Sequence, residues 1–188
     1  MRIIAGQVKG FQLKAPKGLN VRPTSDRVKE TVFNILSSQL TGAVVLDLFA
    51  GTGNLGLEAL SRGAASAVFF DASRKSLEVI KENITHTNFN DCCEVRKTDA
   101  LIGMDFFQRN HKKFDLIFCD PPYNQGLVDK VLTSLDHPDS ILSLKGILIV
   151  EYSRHEKWLG CLEYLHLKRT EKFGETLISF VTRKSTTE

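Results

Sequence analysis

The sequence predicts an α/β protein: a mostly parallel seven-stranded sheet with helices on both faces, an antiparallel C-terminal strand, and a small N-terminal β-hairpin and helix extension. Three observations predict it. Strand-type apolar runs alternate with helical patterns through residue 152. The first of these runs opens into the glycine turn Gly51-Thr52-Gly53-Asn54-Leu55-Gly56, and a later one, Phe114 to Cys119, stops abruptly in Asp120-Pro121-Pro122-Tyr123. A chain of 188 residues fits one main domain, expected over 41–188, with the extension over 1–40. Hydrophobic residues at 42% suffice for a core, and 25% charged residues do not suggest disorder.

In chain order, Ile3-Ile4, Phe11, Leu13, Leu19 and Val21 form short apolar stretches broken by Gly6, Gly10, Pro16 and Gly18, a hairpin pattern. Arg22-Pro23-Thr24-Ser25-Asp26 supplies capping hydroxyls and an acid ahead of a helix with Val28, Val32, Ile35 and Leu36 as its buried stripe. That helix closes between Ser37 and Gly42. Val44 to Phe49 reads as a buried strand, Ala50 to Gly56 as the glycine turn, and Leu57 to Ser61 as a helix ended by Gly63. Ala67 to Asp71 is the second strand. Ser73 caps the next helix, whose stripe is Leu77, Ile80 and Ile84. Cys93 to Lys97 is the third strand, closed by Thr98-Asp99-Ala100, and Phe114 to Cys119 the fourth. A helix over Gly126 to Leu135, a fifth strand over Gly146 to Glu151, and a hairpin of 162–169 with 176–183 complete the pattern.

Several function classes drop out. No apolar run approaches the ~18 residues of a membrane span, and no signal peptide is evident. Cys92, Cys93, Cys119 and Cys161 have neither metal-ligand spacing nor the look of a disulfide framework, so no metal is expected and the thiols read as reduced, in the cytoplasm. The net charge of +3 is uneven: seven Lys/Arg against two acids give residues 1–30 a charge of +5, which leaves 3 − 5 = −2 for the remainder. Such an arm suits a polyanion held from one side. Arg2, Lys9, Lys14, Arg22, Arg27 and Lys29 are the candidate contacts to such a polyanion. Arg22, Arg27 and Lys29 lie near a helix start, where free N–H groups favour phosphate.

The turn Gly51 to Gly56 fits G-x-G-x-x-G, follows a strand, and has Asp71 twenty residues after Gly51, as an adenosine-type ligand requires. Three features favour S-adenosylmethionine over a nicotinamide dinucleotide. Asp47, just ahead of the turn, would repel a pyrophosphate but suits an ammonium and a sulfonium. The Tyr164/Lys168 pair falls in a strand-like stretch, where four residues span ~13 Å rather than the ~6 Å of a helix, so the two cannot form a proton relay. The Asp120 loop has no role in hydride transfer. It is instead suited to a flat, amino-bearing substrate: the prolines stiffen it, an acceptor stands at one end and an aromatic ring at the other.

At these residues the sequence resembles the class I S-adenosylmethionine-dependent methyltransferases of the amino-methylating branch. Their D-x-F-x-G-x-G stands here as Asp47-Leu48-Phe49-Ala50-Gly51-Thr52-Gly53, and their D-P-P-[YF] as Asp120-Pro121-Pro122-Tyr123. Arg2-Ile3-Ile4-Ala5-Gly6, Lys9-Gly10, Arg22 to Glu30 and Leu55 to Ala64 are further similar to bacterial RsmD-type 16S rRNA (guanine-N2)-methyltransferases. The resemblance covers most of the chain and is loosest in the C-terminal strands. It implies that Asp47, Gly51 and Gly53 surround the methionine moiety of S-adenosylmethionine, that Asp71 takes the ribose hydroxyls and Asp99 the adenine amino group, and that Phe49 and Ala100 also line the cofactor. It also implies that Asp120, Pro121, Pro122 and Tyr123 hold the acceptor base, within 16S rRNA of the small ribosomal subunit or its assembly intermediate. A monomer is the default expectation. An adenine-N6 or cytosine-N4 methyltransferase uses the same tetrapeptide, and a non-catalytic ribosome-assembly factor could retain the fold; both remain alternatives at this point.

Overall fold

The structure, a computed structural model, describes residues 1–15, 26–156 and 162–184. Arg22, the capping run Pro23 to Ser25, the apolar pair Leu19 and Val21, and Cys161 lie outside the described residues. The described elements are α1 (Asp26–Ile35), β1 (Val44–Asp47), α2 (Asn54–Ser61), β2 (Ser66–Asp71), α3 (Arg74–Thr87), β3 (Cys93–Lys97), α4 (Ala100–Arg109), β4 (Phe114–Cys119), α5 (Leu127–Leu135), β5 (Leu142–Ser153), β6 (Leu165–Phe173) and β7 (Thr176–Arg183). The strands form one seven-stranded sheet in the order β3-β2-β1-β4-β5-β7-β6. Two compact units divide the chain, Met1–Thr98 and Asp99–Glu188.

In the first unit, β1 pairs parallel to β2, and β2 parallel to β3. Both faces of β1 and β2 are covered, which is why Val-Val-Leu and Ala-Val-Phe-Phe run apolar without alternation. The chain turns out of β1 at Asp47, two residues earlier than the sequence suggests, and α2 starts at Asn54 rather than Leu57. The two differences have one cause. Asp47 Oδ2 accepts from the Gly56 N–H at 3.3 Å, so the strand-end acid satisfies a donor in the first turn of the helix. Gly56 has a second duty: a Cβ there would lie 2.3 Å from Phe69 Cε1, so α2 approaches β2 this closely only with glycine at that position. In α3, Ser73 Oγ accepts from the Ser76 N–H, and Leu77, Ile80 and Ile84 are buried as expected, joined by Asn83 and Thr87.

The N-terminal stretch is a hairpin-like loop, with an isolated Arg2–Gln12 bridge in place of a continuous ladder and Ile3 N–H donating to the Phe11 carbonyl at 3.0 Å. The inward stripe of α1 is Lys29, Val32 and Phe33, continued by Leu36. The expected stripe placed Val28 and Ile35 inward. They are half-buried instead, because a lysine occupies the first inward position.

In the second unit, α4 is an addition to the sequence reading. Asp99 caps it, accepting from the N–H groups of Leu101 and Ile102, and Ala100, Gly103, Met104 and Phe107 form its buried stripe. β4 and β5 are parallel, β5 and β7 antiparallel, and β6 and β7 antiparallel. β5 begins at Leu142, four residues before the expected start. The register jumps from Phe114–Leu142 to Leu116–Ile147, so the strand accommodates extra residues on its way in. β7, last in the chain, lies between β5 and β6, and β6 takes the edge.

Candidate active site

The acids at the ends of β1 and β2 hold the glycine turn. Asp71 Oδ2 accepts from the Gly51 N–H at 2.9 Å and Oδ1 from the Ser73 N–H at 2.7 Å. The Ala50 N–H donates to the Phe70 carbonyl at 2.9 Å, and Asn83 Nδ2 donates to the Thr52 carbonyl at 2.9 Å. Gly51 has φ +55°, and a Cβ there would meet nothing nearer than the Phe49 carbonyl oxygen at 4.0 Å, so its open side can receive a ligand. Asp47 is 1% exposed, and burial raises its pKa from 3.8 to about 7 against the opposing hydrogen bonds from the Gly56 and Phe49 backbone. Asp47, Phe49, Gly51, Gly53 and Asp71 therefore belong to one strand-end constellation within the first unit.

These residues fit an amino- and hydroxyl-bearing ligand. The buried Asp47 carboxyl gains most from a cation, which would replace lost hydration. Asp71 uses two backbone donors, and a carboxylate has about four acceptor positions, so it can hold the turn and accept from ribose hydroxyls together. Asp99 stands at the start of α4 with Ala100 buried behind it.

In the second unit, β4 delivers the Asp120-Pro121-Pro122-Tyr123 loop from a buried strand. Pro121 is buried, Pro122 exposed, and Asp120 and Tyr123 half-buried. Tyr123 Oη donates to Glu151 Oε1 at 2.8 Å and lies 3.2 Å from Thr176 Oγ1. Burial, the largest cause, raises the phenol pKa above its ordinary value, and the Glu151 and Asp120 charges act in the same direction.

The basic arm divides into two kinds of residue. Lys9 and Arg27 are exposed, while Arg2 pairs with Asp26 and Lys14 with Glu82 in exposed ion pairs. Lys29 is not an RNA-facing residue. It is 1% exposed, pairs with the fully buried Glu58 at 2.9 Å, and donates to Asn54 Oδ1 and the Arg2 carbonyl. Desolvation lowers its pKa against the opposing pull of Glu58. Glu58 also accepts from the Ile4 and Ala5 N–H groups and from Arg62. Glu58, Asn54 and Asn83, which tie the N-terminal segment to α2 and the glycine turn, escaped the sequence reading. The available signal was Glu58 itself, an acid within the otherwise apolar run Leu55 to Leu60.

Among the described residues, no helix is long and apolar enough to cross a membrane, and no group of three or more His, Cys, Asp or Glu could hold a metal ion.

A strand-end acid, a glycine turn and an antiparallel C-terminal pairing on a seven-stranded sheet define the fold of a Rossmann-like class I methyltransferase. The solved structure of the Escherichia coli protein yhhF superposes with a TM-score of 0.85 at 32% identity, covering 99% of both chains. The chain belongs to the family described as "Conserved hypothetical protein 95", which matches residues 1–182. The Bacillus subtilis relative YlbH is 34% identical over 184 residues, 98% of this chain and 100% of its own. The Escherichia coli (strain K12) protein named Ribosomal RNA small subunit methyltransferase D is 36% identical over 136 residues, covering 72% of this chain and 67% of its own length. The chain is a methyltransferase of this family.

Proposed function

We propose that this methyltransferase uses S-adenosylmethionine to methylate the exocyclic N2 amine of a guanine in 16S rRNA, on the small ribosomal subunit or its assembly intermediate, as a cytoplasmic monomer. The observation that carries the reading is the Asp120-Pro121-Pro122-Tyr123 loop at the carboxyl end of β4, in a chain related to proteins named as small-subunit rRNA methyltransferases. When bound, the cofactor supplies a methyl group activated by its sulfonium.

The residues of this chain do the rest by position. Asp47 accepts the ligand ammonium, Asp71 the ribose hydroxyls, and Asp99 with Ala100 the adenine edge, while Phe49, Gly51 and Gly53 let the ligand approach the turn. The guanine amine is a poor nucleophile because its lone pair is delocalised into the ring. Asp120 and the Pro121 carbonyl accept its two hydrogens and favour a pyramidal nitrogen. Pro122 stiffens the loop and the Tyr123 ring stacks on the base. Orientation alone accounts for much of such a rate. The base has to leave its stack to be reached, and the ring replaces part of the lost stacking, about 1–3 kcal/mol. Residues 1–40 form the RNA-contacting extension, with Arg2, Lys9, Lys14, Arg22 and Arg27 meeting phosphates.

The test is transfer from labelled S-adenosylmethionine to small ribosomal subunits purified from cells lacking the enzyme, followed by digestion and nucleoside identification. N2-methylguanosine at a single site is the expected product. An N6-methyladenine or N4-methylcytosine product overturns the guanine assignment. Donor binding without transfer to subunits, free RNA or DNA overturns the catalytic reading.

A further inference from the structure

The loop that follows β4 is secured at its far end by groups that the proposed chemistry does not use. Tyr123 Oη donates to Glu151 Oε1 at 2.8 Å. A phenol has a single proton, so once it is given to the carboxylate the Thr176 hydroxyl, 3.2 Å away, acts as donor to the phenolic oxygen. The next residue, Asn124, has φ +59°, a conformation that asparagine tolerates better than most residues. Its N–H donates to Glu156 Oε1 at 2.8 Å, and the other oxygen of that carboxylate accepts from the Ser153 N–H at 3.1 Å. These partners come from the end of β5, the residues just after it, and the start of β7, where Ser153 and Thr176 are paired in register. The two sides are fastened together: the Arg154 N–H donates to the Glu175 carbonyl at 2.9 Å, and its guanidinium pairs with the Glu175 carboxylate at 2.6 Å. The bracket around Tyr123 is therefore built on sheet ends rather than on another loop.

We propose that Glu151 and Thr176 are positioning residues for methyl transfer, fixing the axis of the Tyr123 ring through its hydroxyl and so setting where its face meets the acceptor base. This rests on the reading of Tyr123 as the base platform. The hydroxyl lies on the rotation axis of the ring, so anchoring it fixes where the ring points and leaves the ring faces available for stacking. A hydroxyl held in this way is an anchor and not a proton acceptor in the reaction. The upward displacement of the phenol pKa by burial agrees with that role.

The test compares Glu151→Ala/Thr176→Val, Tyr123→Phe, and the three substitutions combined, in transfer to small ribosomal subunits. Loss of a hydrogen bond to a charged group predicts a fall of about tenfold in kcat/KM for the RNA in each of the first two. The combined variant should fall no further, because both ends of the same contact are then removed. Glu151→Gln keeps an acceptor oxygen and should recover most of the activity. The Kd for S-adenosylmethionine should stay at the wild-type value, whereas general damage to the fold would weaken it as well. Wild-type kcat/KM in Tyr123→Phe, or losses that multiply in the combined variant, overturns the proposal. Tyr123→Ala separates this from the reading beneath it. A fully active Tyr123→Ala overturns the base-platform role itself. An impaired Tyr123→Ala beside wild-type Tyr123→Phe and Glu151→Ala/Thr176→Val overturns only the positioning role.

Discussion

Replacing Lys29 by methionine isolates the buried charge cluster that joins the N-terminal segment to α2, just after the glycine turn. The Lys29 ammonium has three protons and three acceptors: Glu58 Oε2 at 2.9 Å, Asn54 Oδ1 at 2.8 Å and the Arg2 carbonyl. Glu58 in turn accepts from Lys29, Arg62 and the N–H groups of Ile4 and Ala5. A cluster satisfied this fully is expensive to break, because removing one partner leaves the other buried and under-compensated, at about 3–5 kcal/mol. Arg62 and the two N–H groups remain on Glu58, which places Lys29→Met near the lower bound, about 3 kcal/mol. With a urea slope of about 2 kcal/mol/M, the unfolding midpoint should fall by about 1.5 M at unchanged slope. Glu58→Gln should cost at least as much, since it strands a buried ammonium. Lys29→Met/Glu58→Met should recover part of the summed loss, because the two effects are not independent. A midpoint within about 0.3 M of wild type for Lys29→Met, roughly 0.6 kcal/mol on the same slope, would refute the reasoning and return Lys29 to the solvent-facing set.

Asp47 sets a pH dependence. Its folded pKa of about 7 lies above its ordinary 3.8, so between those values the native state keeps a proton that the unfolded chain has released. Its contribution to stability is therefore complete below about pH 4 and is lost as pH rises towards 7, by on the order of 4 kcal/mol. Asp47→Asn should consequently gain stability relative to wild type between pH 4 and pH 8 in urea titrations; a pH-independent difference contradicts the burial argument. Asp120→Ala should nearly abolish transfer with donor affinity intact, and Tyr123→Ala should lose about 1–3 kcal/mol of transition-state binding, both read from single-turnover rates. Gly56→Ala places a Cβ 2.3 Å from Phe69 Cε1 and should destabilise by about 1–3 kcal/mol, seen as a lower Tm.

Much of the fold was legible because its signals are local. Parallel strands covered on both faces read as unbroken apolar runs, and the acid after each marks its end without reference to distant residues. Ser73 before α3, and Gly51 and Gly53 after β1, are read in the same way. The helix α4 was also legible, from Asp99 and the Ala100, Gly103, Met104, Phe107 spacing, but reading Asp99 as a strand-closing residue and a ligand hid its role as a cap. The register shift that lengthens β5 was not legible, since it depends on how Phe114 and Leu116 meet Leu142 and Ile147.

By itself, the sequence determined the alternation of elements, the acids at strand ends, the glycine turn and the Asp-Pro-Pro-Tyr loop, all set by backbone preferences within a few residues. Only the tertiary structure decided that Lys29 faces inward, because a lysine is buried only when a partner such as Glu58 arrives from another helix. It likewise decided that β7 enters the sheet between β5 and β6. The same placement puts Thr176 beside Tyr123, 53 residues earlier in the chain, and no local pattern encodes a contact made across that separation.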